Sequence, residues 1–143
     1  MATNVKTYDP KQVKIVVGAH TVSGVSESSF LSIEPKGEGV ASVVGVYGDV
    51  TRTLSHDPRH TVKITLQPTS RSNAVLSDLC NADRLSGGND AFPILVTDLR
   101  GGTLFAGTAW MVKQAAATFA NTPTNKEWVL EAVGAFTHGG GGD

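Results

Sequence analysis

The chain carries a single cysteine, Cys80, in 143 residues, so no intrachain disulfide can form. An excess of one charge sign is also missing. Twelve basic and 13 acidic residues leave a net charge of −1, which argues against general affinity for nucleic acid or for a membrane surface. No stretch approaches eighteen apolar residues, and Met1-Ala2-Thr3-Asn4-Val5-Lys6 has no apolar signal core, so neither a membrane anchor nor an export signal is expected. Synthesis and folding in the cytoplasm follow as the expectation. Aromatic residues make up 6% of the chain and form no stacking comb for single-stranded nucleic acid.

Signatures of chemistry are equally scarce. Val22-Ser23-Gly24-Val25-Ser26 has the wrong spacing for a Gly-x-Ser-x-Gly nucleophile turn. Gly37-x-Gly39 and Gly101-Gly102 lack the lysine–threonine and strand–helix setting of a phosphate loop. His56 and His60 are four apart but separated by Pro58, so they do not form a helical metal pair. A small hydrolase built on His56, Asp57, His60 and a serine is a competing reading with little behind it. His20, on a turn, and His138, before the glycine tail, both read as solvated. Asp9, Glu27, Glu34, Glu38, Asp49 and Asp57 read as surface carboxylates, and Arg52, Arg59, Lys63 and Lys113 as ordinary cations of a wet face. No enzyme, cofactor or metal is expected.

What is present is alternation. Thr61-Val62-Lys63-Ile64-Thr65-Leu66-Gln67 places Val62, Ile64 and Leu66 on one side and Thr61, Lys63, Thr65 and Gln67 on the other. Pro68 ends this strand. Ser70-Arg71-Ser72 offers hydroxyls for a helix start, and Val75, Leu76, Leu79 and Cys80 make an apolar stripe on a helix from Ser72 to Arg84. Cys80 on that stripe reads as a buried thiol. Gly87-Gly88 closes the helix. Further strands are expected at 12–17, 29–35, 92–97, 103–112 and 127–135, with Phe30 on the face away from Leu31 and Ile33. Residues 113–119 remain ambiguous between helix and extended chain. Residues 1–10 read as a polar arm, and Gly139 to Gly142 as a fraying tail.

Val40–Val46 and Val50–Leu54 flank Gly48-Asp49 and predict a β-ribbon. Its apolar content is heavy for a solvated hairpin, so it lies in the core or another chain covers it. Strands joined by short glycine-containing links, plus one helix, give the expected class: mainly β, a small antiparallel sandwich or barrel with one packed helix, in a single domain spanning 1–143. Edge strands, ribbon and arms fit a scaffold whose copies cover one another. A monomeric or dimeric carbohydrate- or peptide-binding β-module is the alternative.

Several ordered segments carry a resemblance. They are Tyr8-Asp9-Pro10-Lys11-Gln12-Val13, Gly18-x-His20-Thr21-Val22-Ser23-Gly24 and Val43-Val44-Gly45-x-x-Gly48-Asp49-Val50-Thr51-Arg52. Later come Leu66-Gln67-x-Thr69-Ser70-x-Ser72-Asn73, Phe92-Pro93-Ile94-Leu95-Val96-x-Asp98, Thr108-Ala109-Trp110 and Glu127-Trp128-Val129-Leu130-Glu131. From Tyr8 to about Phe136 the chain resembles the tail tube proteins of contractile-tailed bacteriophages. That resemblance implies hexameric rings stacked into a tube, part of the virion tail, through which genomic double-stranded DNA passes. It also implies as partners the chain itself, a tail sheath protein, and baseplate and tail terminator proteins. A baseplate or connector ring of the same fold is the nearest variant. On this reading the ribbon residues Val43, Val44, Val46, Tyr47, Gly48, Asp49, Val50 and Arg52 reach a neighbouring subunit. Thr61, Lys63, Thr65 and Gln67 face the lumen, and Val75, Leu76, Leu79 and Cys80 pack the helix on the subunit core. A slippery bore calls for hydroxyls, amides and carboxylates, with lysines offset by acids. Lys63 is the residue that strains this expectation.

Overall fold

The computed structural model describes residues 13–26, 30–37, 39–88, 90–98, 102–117 and 121–137. The polar arm at 1–10, the glycine-rich tail at 139–143, His138 and the 99–101 hairpin connection lie outside them. In chain order come β1 (Val13–Val17), β2 (His20–Thr21), β3 (Leu31–Pro35), β4 (Val40–Val44), β5 (Val50–Leu54) and β6 (Arg59–Leu66). The helix α1 (Ser72–Leu85) follows, then β7 (Phe92–Asp98), β8 (Gly102–Lys113) and β9 (Lys126–Phe136). The fold is therefore mainly antiparallel β with one helix. Residues 114–117, where the sequence permits helix, adopt neither helix nor strand.

Seven strands make one sheet in the order β2-β1-β7-β8-β9-β6-β3, and β4–β5 stand apart as a two-stranded ribbon. The alternation of β6 sets the two faces. Val62, Ile64 and Leu66 are fully buried, and Val62 and Ile64 lie opposite Leu130 and Trp128 of β9. Ile15, Val17, Ile94, Val96, Phe105 and Leu130 belong to the same buried cluster. Strands from both halves of the sheet thus feed one core, which requires the sheet to curl. Residues 22–26 help to close the curl: Val22 N donates to Ile15 O at 2.8 Å, while Ser26 N donates to Thr65 O at 3.0 Å and Gln67 N to Gly24 O at 2.8 Å.

The helix covers this core. Leu76 and Cys80 are buried, Leu79 packs at the margin of the cluster, and Val75 is half-buried. Its start is held by hydroxyls and an amide. Ser70 Oγ accepts from Ser72 N at 3.2 Å, and Asn73 Nδ2 donates to Gln67 O and Ser70 O. Asn73 Oδ1 takes the indole proton of Trp128 at 2.9 Å, so a strand of the sheet holds the first helical turn. At the other end Gly87 and Gly88 take positive φ, and Gly88 N donates to Asp83 O at 2.8 Å, satisfying a terminal carbonyl.

One expectation fails. His20 is not a solvated turn residue: it sits in β2, and its Nε2 lies 2.8 Å from Oγ of fully buried Ser72, which also accepts from Ser23 N at 2.9 Å. A buried hydroxyl needs partners, and the fold supplies them from a segment 49 and 52 residues upstream. Phe30, expected on the face away from Leu31 and Ile33 as a candidate for helix or neighbour contact, extends the pairing with β6 through Thr65 N to Phe30 O at 2.9 Å and packs, partly buried, against the core cluster that Leu31 and Ile33 also join.

Candidate assembly surface

Among the described residues, the ribbon stands apart from the seven-stranded sheet and is left uncovered. Every residue of β4 and β5 is exposed. Val40 pairs with Leu54, Ser42 with Arg52, and Val44 with Val50, on one face; Ala41 with Thr53 and Val43 with Thr51 line the other. At the tip Gly45 N donates to Asp49 O at 2.7 Å and Gly48 N to Gly45 O at 3.0 Å, with Gly48 at φ 87°, a turn that glycine enters without steric cost. Those bonds hold Val46 and Tyr47 out at 97% and 96% exposure. The ladder strands end at Val44, two residues short of the expected Val46, because the turn begins at Gly45. Val43, Val44, Val50 and Arg52 thus stand on the ribbon strands and Val46, Tyr47, Gly48 and Asp49 at its end. Five paired residues give a projection of roughly 17 Å.

The outward face of the sheet is the second exposed surface. Ser32, Lys63, Val129 and Lys113 form one row across β3, β6, β9 and β8, and Glu34, Thr61, Glu131 and Trp110 form the next. Lys63 is exposed, and Thr61 and Thr65 beside it are half-buried. Gln67 follows the strand, half-buried. Glu127 lies opposite Thr65 and Glu131 opposite Thr61, so Lys63 has a carboxylate diagonally on either side, within reach across antiparallel strands.

Charged side chains gather where the ribbon leaves the sheet. Asp57 and Arg59 form a two-pronged ion pair, Nε to Oδ1 and Nη2 to Oδ2 both at 2.8 Å, and Arg59 N adds a bond to Oδ1 at 3.1 Å. Arg59 Nη1 also lies 3.5 Å from Glu131 Oε1, and Lys36 Nζ 3.3 Å from Glu131 Oε2. The sequence offers each of these as an unremarkable surface charge. The one local hint is Asp57-Pro58-Arg59, a turn that folds an acid back onto a guanidinium. The side-chain and backbone hydrogen bonds from Arg59, with help from the charge of Lys36, lower the Asp57 pKa from 3.8 to about 2. A depressed carboxylate contributes stability that is complete above its unfolded value and lost as pH falls through the folded one. We therefore expect the Arg59 amide resonance to stay constant above pH ~4 and to shift on acidification with a midpoint near pH 2; a midpoint near 4 would mean that the pair is absent in solution.

His56 and His60 do not converge on a ligand. His60 Nδ1 lies 3.0 Å from Pro58 O, and its ring meets Phe105 edge-on at 5.3 Å. Among the described residues no group of three His, Cys, Asp or Glu is placed to hold a metal, and no helix is long and apolar enough to cross a membrane.

A curled antiparallel sheet capped by one helix, with a projecting ribbon, is a known arrangement. The chain is similar in fold to the PVC sheath/tube terminator of an extracellular contractile injection system in its extended state, with a TM-score of 0.60 at 14% identity over 91% of this chain and 95% of that one. It is similar also to the anti-feeding prophage tube terminating cap, with a TM-score of 0.58 at 12% identity over 93% and 91%. A chain of the native gene transfer agent virion gives 0.57 at 13% identity over 92% and 100%. These likenesses define the fold. In sequence the chain is 32% identical over 149 residues to structural protein ORF10 of Pseudomonas phage KPP10, covering 98% of this chain and 86% of that one. It belongs to the family of that phage structural protein, and it is a structural protein rather than an enzyme. No family model matches it.

Proposed function

We propose that this chain is a ring-forming component of a contractile phage tail, its copies joined through the β4–β5 ribbon, and that its ring terminates the tail tube. The observation that carries the assembly reading is the ribbon itself. Val43, Val44, Val46, Tyr47, Val50 and Leu54 stand exposed on one projection, a concentration of apolar surface that marks a site covered in the working state. The occupant is a second copy of the same chain, because a ring lets each copy both give and receive the ribbon and closes without loose edges. The fold likeness to a sheath/tube terminator and to a tube terminating cap supports the terminal position.

A second reading puts the same ring in the body of the tube, stacked into a conduit for DNA. The sequence segments that resemble tail tube proteins favour it, and so does the outward sheet face. Lys63 is flanked by Glu127 and Glu131, with Thr61, Thr65 and Ser32 close by, so that face is no unopposed basic belt and would grip phosphate weakly. Electron microscopy of the concentrated purified chain separates the two. Discrete single or paired rings are the expected result; long tubes would move the assignment to the tube body, and compact monomers at every concentration would remove both. A sheath protein is the partner either position implies, and the tube-body position adds baseplate and tail terminator proteins.

A further inference from the structure

The clamp at the ribbon root has a use that goes beyond holding a turn. β3 pairs with β6, and the ribbon continues that same hairpin: Lys36 N donates to Arg59 O at 3.0 Å, and further out Ser55 N donates to Gly39 O at 2.9 Å. Between these two bonds the legs run through Gly37, His56, Asp57 and Pro58 without ladder pairing among the described residues. A two-stranded ribbon leaving a sheet through such a joint can swing. Its direction must be set from outside the hairpin.

Glu131 is placed to set it. It stands on β9, which is paired along its length with β8 on one side and β6 on the other, so its backbone is fixed by the sheet. Its side chain is only 13% exposed, and its two oxygens are divided between the two sides of the joint. Oε2 takes Lys36, the last paired residue before the joint on the outgoing side, and Oε1 takes Arg59, the first residue of β6 after it on the returning side. Arg59 in turn holds Asp57 in the middle of the joint, where a Cβ added at Gly37 would lie 3.8 Å from its carboxylate. A partly desolvated carboxylate shared by two cations interacts more strongly than an exposed pair.

We propose that Glu131 is the positioning residue of the ribbon: it fixes the two side chains at the root, Lys36 and Arg59, and through Arg59 the Asp57 within the joint, and so presents the ribbon at the angle its neighbouring copy requires. The inference rests on the ribbon being the joint between copies. In this role Glu131 acts by keeping the ribbon in its competent direction. If the fraction of time spent there falls to a tenth, the apparent dissociation constant rises about tenfold.

Glu131→Gln keeps the shape and removes the charge. Nitroxide labels at Val46→Cys and Ala74→Cys, with buried Cys80 unreactive, report the ribbon's direction relative to the helix in dilute, unassembled protein. The full chain should give a narrow distance distribution, and the Glu131→Gln chain a broad one. The melting temperature should be little changed, while the concentration at which rings form rises about tenfold. Lys36→Gln, which releases only the outgoing side, should broaden the distribution partially, and it carries the test should Glu131→Gln fail to fold. Unchanged distances, or rings at the original concentration, overturn the proposal. Val44→Asp with Tyr47→Asp separates the two levels. Loss of rings there with none in Glu131→Gln discards the positioning role alone; rings surviving in both discard the ribbon as the joint.

Discussion

Replacing Gly107 by alanine is expected to cost about 3 kcal/mol or more of folding stability, or to prevent folding, although it adds one methyl group. Gly107 of β8 lies directly opposite Gly134 of β9. A Cβ on Gly107 would overlap the carbonyl oxygen of Val133 and come within 2.8 Å of the Gly134 Cα. The reciprocal substitution drives a Cβ into the Ala106 carbonyl oxygen and to 2.7 Å from the Gly107 Cα. No rotamer relieves this, because the obstacles are backbone and the intruding atom is fixed to backbone. The reason for so close an approach is the curl: β8 and β9 sit in mid-sheet, where the strands must bend hardest if β1 and β6 are to share a core. Urea unfolding of Gly107→Ala and Gly134→Ala checks it, with Ala106→Gly, one residue along on the outward face, as the comparison. A loss under about 1 kcal/mol at either glycine would show that the two strands separate freely, against the geometry described.

That pair also shows what sequence reasoning could reach. Gly107 in a long strand signals close approach of a neighbour, but the identity of the neighbour depends on β8–β9 register, which no local pattern contains. The same division runs through the molecule. The period-two pattern at 61–67 and the helical spacing of Leu76, Leu79 and Cys80 are local, and those elements lie where the patterns put them, the helix running one residue further to Leu85. The ribbon too was legible, since Gly48-Asp49 sits between two β-branched runs. The role of His20 is not local, because its partner, Ser72, is 52 residues away and nothing near His20 announces a buried hydroxyl. The root clamp is hidden for the same reason. Lys36, Asp57, Arg59 and Glu131 come from separate stretches, and each looks like an ordinary surface charge until β3, β6 and β9 bring them together.

The second large effect is expected at the ribbon, with the opposite signature: assembly lost and stability kept. Val44 and Tyr47 are exposed in the single chain, so Val44→Asp and Tyr47→Asp should each move its stability by no more than about 0.5 kcal/mol. If the ribbon joins copies as proposed, the neighbouring copy covers these positions, and a carboxylate there loses its hydration without a partner. Two such losses, at about 1.4 kcal/mol for each tenfold, put the concentration for ring formation up by at least about a hundredfold. Ring closure sharpens the test. In the proposed ring every copy would supply one ribbon and receive another, so a doubly substituted chain could still receive but not give. Mixed with the unaltered chain, it should therefore interrupt rings well before it outnumbers it, because one defective ribbon opens a ring. Sedimentation across a series of mixing ratios reads this directly. A fall in rings faster than the substituted fraction requires a ribbon joint that closes. A fall in simple proportion means that altered chains are merely left out, and no fall at all means that copies join elsewhere.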